Sequence, residues 1–262
     1  MTLQYAGVSL HVWRVPAAAV PVALWRMAAD RWWPRRAGLR FVKFLGTGRG
    51  FGLGRPDLTR WAALAVHDGR PPDFPGWARI ASASCRLDLL PLACRGTWSG
   101  QHPFPPAEKG PDSQHPFPPA EKGPDSGHPF LAAENGPGTD ETREHGPVLS
   151  LTRARLRPAR ALAFWRAVGP VAAGLAGRDG LLAAFGIGEA PIGWQGTVSV
   201  WRQPADLLRF AYRHPQHRRA IEHTATTGWY AEELFARFAV TEVVGDTGVI
   251  GWVRDQTREP SG

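Results

Sequence analysis

Cysteine is nearly missing from this chain: among 262 residues only Cys85 and Cys94 carry a thiol. They stand nine apart with no CxxC or other metal-binding spacing, so neither a disulfide scaffold nor a cysteine metal centre is expected. Lysine is almost as scarce, with Lys43, Lys109 and Lys122 alone. The formal charge of +8 and the pI near 10.4 are therefore the work of arginines. These are scattered through both halves beside aromatic and apolar residues. Nucleic-acid binders gather cations into a run or onto one helix face, because phosphate neutralisation drives their affinity, so no nucleic-acid partner is expected. No apolar run approaches about 18 residues, which predicts no membrane span. A charged leader followed by an apolar core is also lacking, and the expected location is cytoplasmic. Walker and serine-nucleophile motifs are absent. "GTGRGFGLG" (Gly46–Gly54) puts glycine at every second position and leads into a strand, so it is read as a hairpin-like connection and not as a dinucleotide fingerprint.

What the chain does have is tryptophan, repetition and internal rhyme. At 43% hydrophobic content it has enough apolar residues for a core that removes roughly three quarters of the unfolded surface from water. The twelve tryptophans suit an indole-rich core, a large hydrophobic ligand or a membrane interface equally well. "LWRMAADRWWPRR" (Leu24–Arg36) mixes Trp and Arg, a pattern compatible with peripheral contact to an anionic membrane on the inner face of the cell; packing on its own sheet is the simpler expectation. "QHPFPPAEKGPDS" occupies 101–113, recurs letter for letter at 114–126, and decays into "GHPFLAAENGPGT". Each copy offers one Phe to bury among Pro, Gly and charge, so 100–146 is expected to be a disordered loop. Its histidines, His102, His115 and His128, are explained by tandem duplication. On either side the pattern repeats strand, helix, strand, strand, helix, strand, and the third elements both end in a Phe followed by alternating glycines, "FLGTG" and "FGIGE". The expectation is an α+β fold of two tandem ferredoxin-like (βαββαβ) units, 1–99 and 147–248, packed sheet to sheet as a barrel of the dimeric α/β type with a cavity between sheets and helices, and a tail from 249 to 262.

"FAYRHPQHRRAIEHTATTGWYAEELF" (Phe210–Phe235) holds three histidines. Pro215 suits the first turn of a helix. At 100° per residue, Ala220, Ile221, Thr224, Ala225 and Gly228 share the side of His217, while Arg218, Arg219, Glu222 and His223 lie opposite. His217 is thus the ionisable group on the buried stripe, and a buried imidazole needs a partner. A hydrogen bond to backbone or water satisfies it; so does the iron of a haem, which would also fill the expected cavity. A His214–His217 zinc pair lacks a third ligand nearby.

Five blocks then resemble one family. "FAYRHPQHRRAIEHTATTGWYAEELFARF" (Phe210–Phe238), "FGIGEAP" (Phe185–Pro191), "RGTWSGQHPF" (Arg95–Phe104), "FLGTGRGFGLGRP" (Phe44–Pro56) and "GPVLSLTRARLRPARALAFWR" (Gly146–Arg166) are similar to spheroidene monooxygenases of carotenoid biosynthesis. The resemblance implies a haem-containing monooxygenase that uses O2 and an external electron donor such as reduced ferredoxin to place a keto group on a long acyclic carotenoid. It implies His217 as the axial iron ligand and suggests Arg55 and Arg95 as partners of haem propionates. It leaves the catalytic residues unassigned. Two other outcomes stay open: a haem barrel of different reaction, peroxidase- or dehydratase-like, and a non-catalytic carrier of haem or pigment. One departure stands out. The family pattern has a single "WSGQ-x-PF" turn, and here it is multiplied, adding roughly 26 residues to a loop at small entropic cost.

Overall fold

Alternation decides which side of each strand is buried. In β1 (Ala6–Arg14) Val8, Leu10 and Val12 point one way and Ser9, His11 and Trp13 the other, as the two-residue period of a strand requires. The same alternation runs through β2 (Leu39–Gly48), β3 (Pro56–Asp68), β4 (Ala83–Gly96), β5 (Val148–Leu156), β6 (Leu181–Gly188), β7 (Gly196–Trp201) and β8 (Tyr230–Gly245). These belong to a computed structural model that describes residues 6–32, 38–49, 56–104, 146–156, 178–189, 196–213 and 230–252. The described helices are α1 (Val20–Trp32), α2 (Pro75–Ala78) and α3 (Pro204–Arg213), and none is long and apolar enough to cross a membrane.

The strands form one closed antiparallel barrel in the order β1-β3-β2-β6-β7-β5-β8-β4. Within each half the first strand lies between the third and the fourth. The α+β barrel expected from the sequence is therefore the architecture, but the halves join edge to edge and not sheet on sheet. One seam is short: Gly46 pairs with Gly188 and Thr47 with Ile187, so the two Phe/Gly stretches that rhyme in sequence meet in space. The other runs along β4 and β8, from Cys85 opposite Gly245 to Gly96 opposite Leu234, with a bulge beside Pro91, where a residue without an N–H is tolerated. Closure leaves no free sheet edge. Eight strands make a barrel just wide enough for side chains to fill. Here Leu10, Leu64, Leu87, Leu149, Phe185 and Phe238 are among those that fill it. Gln101–Phe104, within the segment expected to be loop, are among the described residues. Phe104 is 1% exposed and packs edge-on to Phe238, with ring centroids 5.1 Å apart. The remaining repeat copies, the helical stretch expected at 161–176 and the histidine-bearing stretch 214–229 lie outside the described residues.

A second core sits outside the barrel, beneath α1 and α2. Trp61, Ala63 and Ala65 of β3 face it, and the small alanines leave room for Trp13, Phe44, Phe74 and Trp77. Trp13 stacks on Trp77 at 5.2 Å, and the Trp77 indole N–H donates to Asp30 at 2.8 Å. His11 lies among these rings, 4.9 Å from Phe74, within 3.0 Å of the Ser9 hydroxyl. Burial, followed by Arg86 and His67, pushes its pKa down to about 3, so it stays neutral. Trp77→Ala should cost about 3–5 kcal/mol in urea unfolding, and a loss below about 1 kcal/mol would show that this cluster is not a core. The depressed His11 contributes stability in full above its unfolded pKa near 6.5, and that contribution is lost as pH falls towards 3. Replacing His11 with Phe should flatten the stability profile across that window.

Candidate functional site

Strand register sorts the outward side chains into rows. In the first half Phe44, Ala63, His11 and Arg86 lie side by side, and next to them Gly46, Trp61, Trp13 and Ser84. Aromatic rings fill that face. The corresponding face of the second half is built differently. One row reads Ala184, Ser199, Ser150, Arg237 and Ala93; the next reads Gly186, Thr197, Thr152, Phe235 and Arg95. Across β6, β7 and β5 nothing in these rows is larger than threonine. Ser150, Thr152, Ala184 and Thr197 are only half-buried although they sit mid-sheet. At one end Trp201, Val148 and Leu207 form a small apolar cluster, with Phe210 of α3 packed 5.3 Å from Trp201. The Trp201 indole N–H donates to the Ser199 hydroxyl at 3.0 Å. The result is a shallow face floored by hydroxyls and small side chains, with arginines along one edge.

Arg95 lies on that edge. It is half-exposed, 5.1 Å above the Phe235 ring and 3.7 Å from Glu233. Just beyond it Gly96 takes a φ of +90°, and a Cβ there would stand 2.1 Å from the Glu233 carbonyl, so only glycine lets β4 approach β8 so closely. His217 and Arg55 fall outside the described residues, as do His214 and His223; His217 follows the last described residue of α3, Arg213, by four positions. Among the described residues no group of three His, Cys, Asp or Glu side chains is placed to hold a metal. An iron held in a porphyrin needs only one protein ligand, so that finding does not bear on it. The cysteines are free thiols, and burial pushes both up to about 11, so they stay protonated.

The feature that sequence reasoning missed is an ion network at one end of the barrel. Arg153, 4% exposed, points inward from β5 between Glu189 and Glu232. It donates to Glu189 at 2.9 Å and also to Glu232. Glu189 accepts from the Trp98 indole N–H at 2.6 Å and lies 3.5 Å from Lys43, which donates to Ser99 at 2.7 Å. Glu232 accepts from Thr97 at 3.1 Å and from the Gly100 backbone N–H at 2.7 Å. The two carboxylates thus clamp the turn Trp98–Gln101, whose Ser99 and Gly100 have positive φ, and so fix the start of the repeat loop. Burial alone would raise both carboxyls. For Glu189, Lys43, Arg153 and the Trp98 N–H reverse that and hold it below the usual range. For Glu232, the Gly100 N–H, Arg153 and Thr97 hold it at about 2. Arg153 is separated from its partners by 36 and 79 positions, so no local spacing could have announced the contact. The only sequence signal was that "WSGQ", "FGIGE", "YAEELF" and "LTRARL" all fall within the blocks that carry the resemblance.

No protein-family model matches the chain. It is 31% identical over 220 residues to the spheroidene monooxygenase of Rhodobacter capsulatus, covering 79% of this chain and 78% of that protein. It is 32% identical over 219 residues to the spheroidene monooxygenase of Rubrivivax gelatinosus, covering 79% and 71%. Among solved structures, an aldoxime dehydratase superposes with a TM-score of 0.48 at 13% identity, covering 92% of this chain and 83% of that one, a similarity too low to argue from.

Removing one partner of a buried pair strands the other charge, so Glu232→Gln should cost about 3–5 kcal/mol at neutral pH in urea unfolding. The Glu232 contribution is present above the ordinary carboxylate pKa, near 4.3, and is lost as pH falls towards 2. The gap between wild type and variant should therefore narrow through that window. A gap that stays constant down to pH 2 would contradict the assignment.

Proposed function

The chain belongs to the spheroidene monooxygenase family, and from that premise we propose that it is a haem-dependent monooxygenase that oxidises a spheroidene-like acyclic carotenoid. The observation that carries the proposal is the family identity, sustained over most of both chains. We further read each half of the barrel as a ferredoxin-like unit, supported by the shared strand order. The group proposed to sit against the second half is haem, held by His217 as its single protein ligand. The described residues fit it: the rows from Ala184 to Ser150 and from Gly186 to Thr152 lack the rings that close the first half. Arg95, and Arg55 by its place in the glycine-rich block, are the proposed partners of the propionates, where a guanidinium forms charge-assisted hydrogen bonds to carboxylate.

Bound haem would supply the iron at which O2 is activated. The protein's part is to hold the group flat against Ser150, Thr152, Thr197 and Ser199, and to keep water out with apolar cover such as Trp201, Leu207 and Phe210. Turning a methylene into a ketone takes two hydroxylations at one carbon and loss of water. Each product therefore consumes two O2 and four electrons, and a reduced ferredoxin or similar donor must deliver them.

Protein made with ample haem should show a Soret band that is lost in His217→Ala. Ser150→Trp should weaken haem binding at least about tenfold while circular dichroism stays that of the folded barrel. Supplied with spheroidene, O2 and a reduced ferredoxin, the wild type should form a keto product. A wild type without a Soret band would refute the haem reading; turnover with peroxide but none with O2 and reductant would refute the monooxygenase reading.

A further inference from the structure

A helix that packs one side on a sheet normally turns a polar side to water. α1 does not. Ala23 and Met27 are buried against the outer core of the first half. On the opposite side, every exposed residue between positions 16 and 28 is apolar, including Pro21, Val22, Leu24, Trp25 and Ala28. Trp25 is 67% exposed and Val22, one turn before it, 45%. The one charged side chain in this stretch, Arg26, is half-buried and turned towards α2, where a Cβ on Gly76 would fall 1.8 Å from its guanidinium. An apolar strip of this length standing in water is the mark of an interaction surface.

The charge around the strip is one-sided. The first 49 residues contain eight arginines and lysines and one acid, Asp30, which accepts from Trp77. Arg31, Arg35 and Arg36 follow the strip directly in sequence, while α2, which packs beside α1, is flanked by one exposed charge of each sign, Asp73 and Arg79. A net charge of +8 opposes burial of this face against a second copy and favours an anionic surface.

We propose that the solvent face of α1 docks on an anionic lipid bilayer, with Val22, Leu24 and Trp25 entering the headgroup boundary and the arginines next to it in sequence drawn to acidic lipid. The choice of a bilayer rests in part on the carotenoid reading above, since a long hydrocarbon substrate partitions into membrane. Docking by α1 brings the enzyme to where that substrate is dissolved.

The test is flotation of the full haem-loaded chain with carotenoid-free vesicles, of phosphatidylcholine alone or with phosphatidylglycerol added. Wild type should bind the anionic vesicles and release them in high salt. The double variant Val22→Ser/Trp25→Ser should bind at least about tenfold more weakly with an unchanged melting temperature, as expected for surface positions. Failure of wild type to bind, equal binding by the double variant, equal binding to both vesicle types, or a wild-type dimer that the double substitution dissolves would each overturn the proposal. Because these vesicles hold no carotenoid, flotation is independent of turnover: wild type that binds them but forms no ketone in the separate assay with spheroidene, O2 and reduced ferredoxin would support docking while removing the enzymatic reading.

Discussion

A sheet face cannot stay bare. In a closed barrel the inner faces of the strands cover one another, but every outer face must find its own cover. The first half does so with its own chain: Trp13, Trp61 and Trp77 and the rings of Phe44 and Phe74 pack solidly under α1 and α2. The second half keeps hydroxyls, alanine and glycine at the equivalent places on β5, β6 and β7. Among the described residues the two halves thus carry unlike outer surfaces, one packed with rings and one lined by small side chains. The haem site is proposed on the second.

The network around Arg153 serves a different end. A buried guanidinium in isolation is costly, and this one is offset by carboxylates drawn from the end of β6 and the start of β8. The same carboxylates hold the Trp98–Gln101 turn. Trp98 and Phe104 are thereby set into the barrel end.

Much of the architecture was legible because it depends on local pattern. Two-residue alternation marked strands such as β5 and β7, and the Phe followed by alternating glycines in both β2 and β6 marked related elements, though nothing in it said that they would pair across a seam. Phe104, the phenylalanine of the first repeat copy, is core, and the clamped turn Trp98–Gln101 precedes it. The tryptophans defeated composition. Trp13 and Trp77 are internal and Trp25 faces water, a difference of position on the element and not of residue type. The small-residue face of the second half was hidden because Ser150, Ser199 and Ala184 come together only through strand pairing. His217 and Arg55 rest on the resemblance.

The most direct measurement is a crystal structure of the protein loaded with haem. The account predicts a tetrapyrrole lying against Ser150, Thr152, Thr197 and Ser199 with His217 on its iron. Density for the macrocycle on the first half beside Trp13 and Trp77, inside the barrel, or ligated by any residue other than His217 would contradict it.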